Sequence, residues 1–271
     1  MKILSSYRSK VLSHPDKLLS EHLANVWDII SNEIKLKNID NKTEIKDILK
    51  IAAVCHDLGK ATYFFQQYLE NKHGSQKTHH SLLSALIAFY LAKQLKLTDV
   101  LIPFYLIRSH HSNLKNISNG DTGSPDKNII LEQIDALNKE DIISIIKCVF
   151  GIDFNFDVFK EYINTGRIFK DIYLASKNID SKLEKFFFIE FLFSLIIYAD
   201  KADAGIDNKS FYEIKEKIKN FNSPDAVNTY IAKNIKTQKN ISKQKMDNIR
   251  DSIYKDAMDY AHNVDLDKKI F

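Results

Sequence analysis

Ala52-Ala-Val-Cys-His-Asp-Leu-Gly-Lys60 joins an apolar run to a short, charged turn. Followed backwards, Ile45, Ile48, Leu49, Ala52, Ala53 and His56 recur at spacings of three and four, the period of a helix with one buried face. Thr43 stands where such a helix wants its cap. The pattern stops at His56 and Asp57, Gly59 permits a sharp exit, and Lys60 follows. Neighbours inside a helix diverge, but at a terminus the backbone can turn both side chains toward one point. An imidazole beside a carboxylate suits a borderline divalent metal, and the carboxylate can bridge two of them. Lys60 could neutralise charge on a phosphate oxygen. Cys55 points away on the same spacing and reads as a core residue.

Outward from this stretch the helical period continues almost everywhere. Leu18, Leu19, His22, Leu23, Val26, Ile29 and Ile30 form an earlier stripe opened by Pro15-Asp16, and a helix after Gly59 carries Phe64, Phe65, Tyr68 and Leu69. Further helices fit roughly 79–95, 99–111, 127–149, 155–177, 182–203, 207–220 and 224–237, with a polar one over 242–260. Seven glycines and four prolines in 271 residues are few, as expected of a chain with few breaks. The fold class is therefore all-α. The clearest loop, Asn113 to Asp126, follows a His-His pair directly and is placed to contact substrate.

Composition narrows the function classes. Two cysteines without C-x-x-C spacing exclude a disulfide scaffold and fit a reduced, cytoplasmic setting. No signal-peptide pattern opens the chain. The apolar run Phe186 to Ala199 contains Glu190 and is too short to span a bilayer, so no membrane role is expected. Net charge is +4, but nine lysines against three acids between Lys209 and Lys245 form a stripe that could follow a phosphate backbone or simply face solvent. No Walker A sequence is present, so these residues are not an ATPase.

Chemistry concentrates on the histidines. His22 lies on a stripe where Leu would be ordinary, His79-His80 open a helix, and His110-His111 close one. Asp200 ends the apolar helix Phe186 to Ala199. Each alone is commonly structural; together they describe a histidine-rich cation site suited to Mn, Fe, Co, Ni or Zn, with Mg possible. Such a site needs no serine or cysteine nucleophile, because cations can lower the pKa of a water for in-line attack.

The motif order resembles the HD superfamily of metal phosphohydrolases and, more narrowly, the HD nuclease domain of the CRISPR type I nuclease–helicase. The resemblance rests on Glu21-His-Leu-x-x-Val26, His56-Asp-Leu-Gly-Lys-Ala-Thr-x-x-Phe-Gln66, His80-Ser-x-x-Ser-Ala85, Ser109-His-His111 and Phe193-Ser-x-x-x-x-Ala-Asp200, and runs from about residue 14 to 205. It implies an HD-domain helical bundle with additional C-terminal helices: a nuclease core over 1–205 and an extension over 206–271 leading toward a helicase. It implies two divalent metal ions, one held by His22, His56, Asp57 and Asp200 and the other by Asp57, His80, His110 and His111, with Lys60 assisting the phosphate. His80 is preferred to His79, and Asp200 to Asp203, from the family pattern. The substrate implied is single-stranded DNA, the partners a helicase in cis or trans and the CRISPR RNA-guided surveillance complex. The ending Ile270-Phe271 suggests the nuclease half of a longer chain. Two rivals remain: an HD phosphohydrolase of nucleotides or cyclic nucleotides, and a degenerate scaffold that only binds.

Overall fold

The computed structural model describes residues 10–36, 43–114, 126–177 and 183–205. The helices expected over 207–220, 224–237 and 242–260, the lysine-rich 209–245 region, the 206–271 extension and most of the 113–126 loop lie outside the described residues. A small antiparallel hairpin, β1 (Leu12–His14) and β2 (Lys17–Leu18), leads into α1 (Leu19–Leu36) and α2 (Thr43–Cys55). A 3-10 turn over Leu58–Ala61 precedes α3 (Tyr63–Asn71), and another over Gln76–Thr78 precedes α4 (Ser81–Gln94). The remaining helices are α5 (Leu101–Ser109), α6 (Lys127–Asp135), α7 (Lys139–Phe150), α8 (Phe156–Asn164), α9 (Arg167–Lys177) and α10 (Leu183–Gly205). The all-α expectation holds; the hairpin is the only sheet among the described residues.

At the centre, α2 packs on α1, α4 and α5, while α1 also packs on α10. Helix α4 is apolar around its circumference, with Leu83, Leu86, Ile87, Phe89 and Leu91 all buried, and such a helix belongs in an interior. This core fixes the ends of α2, α4, α5 and α10, and from those ends the polar residues emerge. No described helix is long and apolar enough to cross a membrane.

Two long helices expected from the period are each broken. The segment 127–149 divides into α6 and α7 because Asn138 caps the second, its side chain accepting from Asp141 N at 3.2 Å. Leu137 meanwhile bridges to Thr62, and the Asn138 amide donates to the Ala61 carbonyl at 2.9 Å. The segment 155–177 divides at Gly166, whose φ of +73° is open to glycine and costly for other residues. In both cases a polar or glycine signal interrupted an apolar period that continued across it.

The exit after Asp57 depends on Gly59. A Cβ there would stand 2.5 Å from the His80 carbonyl oxygen and 3.0 Å from the His80 Cβ. The Gly59 amide also donates to Ser84 Oγ at 2.8 Å, tying the turn to the first turn of α4. Gly59→Ala is therefore expected to destabilise the protein by about 1–3 kcal/mol through overpacking and to push His80 out of place. Urea unfolding checks the first effect and cation affinity the second; an Ala variant with unchanged midpoint and affinity contradicts both.

Candidate metal centre

Helix α2 ends at Cys55, so His56 and Asp57 lie in the turn beyond it, where adjacent side chains can converge. Asp57 is the hub. Its Oδ2 is 3.1 Å from His22 Nε2 and 3.5 Å from His56 Nε2; its Oδ1 is 3.0 Å from His80 Nε2 and 3.6 Å from His110 Nε2. Asp200 adds Oδ1 at 3.4 Å from His22 Nε2 and 3.6 Å from His56 Nε2. Two groups result, each with one donor atom per residue and all donors within 4.8 Å of one another: His22, His56, Asp57 and Asp200; and Asp57, His80, His110 and His111. Asp57 belongs to both. Every side chain of the first group is buried, whereas His111 gives the second an exposed edge.

The donor chemistry fits divalent cations. His22 Nδ1 lies 2.5 Å from Asp203 Oδ2, His56 Nδ1 2.8 Å from the Ala53 carbonyl and His110 Nδ1 2.5 Å from the Ile107 carbonyl. These acceptors assign the proton to Nδ1 and turn three Nε2 lone pairs inward. His22 and His56 then face each other Nε2 to Nε2 at 3.1 Å, and His80 and His111 do so at 2.9 Å. Facing lone pairs repel unless a proton or a cation lies between them. Oδ1 of Asp57 and Nε2 of His110 are buried without a hydrogen-bond partner, and Oδ2 has only the Lys60 ammonium as a compensating charge, a costly arrangement that cations would relieve.

Charge follows the same geometry. Burial alone would raise the Asp57 carboxyl, but Lys60, His56, His110 and His22 hold it well below the usual carboxylate range. Burial also opposes ionisation of Asp200, and His22 and His56 outweigh it. In the metal-free protein burial disfavours a charged His22, yet Asp200, Asp203 and Asp57 together push it up to about 10. A proton on His22 thus occupies the place of a cation. Burial lowers His80, and it lowers His111 to about 3, with His110 and His80 adding to the effect.

These shifts oppose one another across pH. Below 6.5 the unfolded chain takes up protons that folded His80, His111 and His14 refuse, so stability falls on acidification. Above 6.5 folded His22 keeps a proton that the unfolded chain releases, and that contribution is lost as pH rises toward 10. The metal-free protein is expected to be most stable near pH 6.5, and thermal melts in chelator check this. A melting temperature still climbing through the alkaline range is the opposite result.

Lys60 Nζ lies 2.7 Å from Asp57 Oδ2 and 5.4 Å from the centre of the Phe65 ring, at the junction of the two groups. Gln66 holds its backbone: Nε2 donates to the Lys60 carbonyl at 2.8 Å and to the Leu12 carbonyl at 2.9 Å, while Oε1 accepts from Leu12 N at 3.1 Å. The structure thus brings together His22, His56, Asp57, Lys60, His80, His110, His111 and Asp200. His79 is not among them; its side chain is exposed and its carbonyl accepts from Gln133. Asp203 lies behind His22, on the side away from the inward-facing nitrogens.

Sequence reading missed His14. Its ring meets His22 edge-on at 5.1 Å, and burial, Lys60 and His22 lower it to about 4, so it stands neutral beside the site. Its place in a short hairpin, outside any helical stripe, gave no periodic signal; only the adjoining Pro15 marked the turn.

No protein-family model matches the chain, and no curated protein matches it. Among solved structures the chain is similar to the CRISPR-associated Cas3 HD domain protein MJ0384 from Methanocaldococcus jannaschii, with 18% sequence identity, a TM-score of 0.43, and coverage of 71% of this chain and 99% of that one. At this degree of similarity, the side chains themselves carry the functional reading.

Proposed function

We propose that this chain is a metal-dependent phosphodiesterase of the HD class that hydrolyses single-stranded DNA in the cytoplasm. Its partners in this reading are a helicase, in cis or in trans, and the CRISPR RNA-guided surveillance complex of type I interference. The observation that carries the phosphodiesterase reading is Asp57, a buried carboxylate whose Oδ2 faces His22 and His56 and whose Oδ1 faces His80 and His110, set between two histidine groups.

His22, His56, Asp57 and Asp200 would hold one divalent cation, and Asp57, His80, His110 and His111 the other. Such ions, when bound, supply Lewis acidity and bring the ionisation of water toward neutral pH. Asp57 gives one oxygen to each group and so sets their separation. The backbone acceptors behind His56 and His110 fix which nitrogen each ring presents. Lys60 offers a positive charge against a non-bridging phosphate oxygen and, through its ion pair with Asp57, stays aimed at the junction. The exposed edge at His111 leaves a path for a chain too long to be enclosed. Covalent catalysis by Cys55 does not suit the site, since the thiol is fully buried and burial pushes its ionisation up.

The test is a metal-loaded assay on a single-stranded DNA circle beside a panel of nucleotides and cyclic nucleotides. Cutting of the circle is the expected outcome. Turnover of the nucleotides with the circle left intact would sink the nuclease reading and favour a small-molecule phosphohydrolase. Inactivity on every substrate, despite bound metal, would favour a binding scaffold.

A further inference from the structure

Asp203 is almost wholly buried, 1% exposed, yet it faces none of the inward-turned imidazole nitrogens. Its Oδ2 accepts from His22 Nδ1 at 2.5 Å. Its Oδ1 accepts from Asn25 Nδ2 at 2.8 Å and lies 3.1 Å from Lys17 Nζ. Lys17 also donates to the Asp203 backbone carbonyl at 2.5 Å, so one ammonium grips both the side chain and a terminal carbonyl of α10. Two side chains, Lys17 of β2 and Asn25 of α1, therefore hold a single carboxylate against the back of His22.

A histidine that coordinates a metal through one nitrogen needs the other held by an acceptor, which sets tautomer and ring plane. Backbone carbonyls do this for His56 and His110; a carboxylate does it for His22 alone among these three. The carboxylate is itself anchored at its other oxygen by Asn25 and Lys17, so the ring cannot swing with it. From this the geometry points to Asp203 as a positioning residue: held by Asn25 and Lys17, it fixes the tautomer and orientation of His22 and so sets the affinity of the fully buried cation group. The role rests on the metal reading above and replaces the alternative of Asp203 as a ligand.

The experiment compares the full chain with Asp203→Ala, Asp203→Asn and Asn25→Ala. Affinities for Zn2+ and Mn2+ are measured by calorimetry, and the His22 tautomer by nitrogen-15 resonances of the zinc-loaded protein. Asp203→Ala is expected to weaken the tighter of the two binding events roughly 10–100-fold and to leave His22 in a mixture of tautomers. Asp203→Asn keeps an acceptor oxygen and is expected to recover most of the affinity and the single tautomer. Asn25→Ala is expected to show a smaller loss in the same binding event. If Asp203→Ala fails to fold, Asp203→Asn and Asn25→Ala still decide the matter through their affinities and tautomer signals. Wild-type affinity and a single tautomer in Asp203→Ala would overturn the role, as would an Asp203→Asn loss equal to that of Asp203→Ala in folded protein. Should the unaltered chain take up no divalent cation, the proposed function itself fails, which is a different result.

Discussion

Asp57→Ala is expected to abolish tight binding of both cations and to lower phosphodiester turnover by roughly a thousandfold or more, since the metal-assisted step is lost with them. No other described residue belongs to both donor groups. Its removal also leaves Lys60 buried beside the imidazoles, with Asp200 as the remaining ligand carboxylate of the first group. Breaking a buried ion pair from one side costs about 3–5 kcal/mol, so the variant should melt earlier as well as lose metal. Metal analysis of the dialysed protein separates two ions, one and none. Retention of both ions with full turnover would remove Asp57 from its bridging position.

Chelation and reloading should have the second largest effect. A cation at about 100 times its dissociation constant stabilises the folded state by about 2.7 kcal/mol per site, which for a domain of this size is roughly 5–10 °C in melting temperature. The two groups should not respond alike. All four side chains of the first are buried, so an ion held there would exchange only when the surrounding helices part, whereas exposed His111 opens the second to solvent. A chelation time course should therefore show a fast loss and a slow one, read by metal content and by melting. A single fast phase for both ions would contradict the difference in enclosure. Reloading with Mn, Co, Ni or Zn should outperform Mg, because imidazole nitrogen is a poor ligand for Mg.

Much of this centre could be read from sequence because His56, Asp57, His80, His110 and His111 lie at or just beyond helix ends, and helix ends leave strong marks. The apolar run into His56-Asp57, with Gly59 after it, specified both the buried face of α2 and the turn that breaks from it. Asp200 was legible from the apolar run that leads into it, but it does not end the helix: α10 continues past it to Gly205. Other features depended on contacts remote in sequence. The acceptor role of Asp203 becomes visible only when α10 lies against α1, bringing together residues separated by 181 positions. The hairpin carrying His14 is too short to show a period, and its pairing is local but irregular. The breaks at Asn138 and Gly166 were overridden by apolar spacing that continued on either side, although a capping Asn and a lone Gly were both present.

That separation of 181 residues has a consequence during synthesis. The ribosome releases His22 early and Asp200 and Asp203 late, so a nascent chain lacks half of the carboxylate complement of its first donor group until α10 has been made and docked. Partial products and chains cleaved before α10 contain the His-Asp pair but not the enclosed centre. Assembly of the first donor group is thus coupled to completion of the helical core.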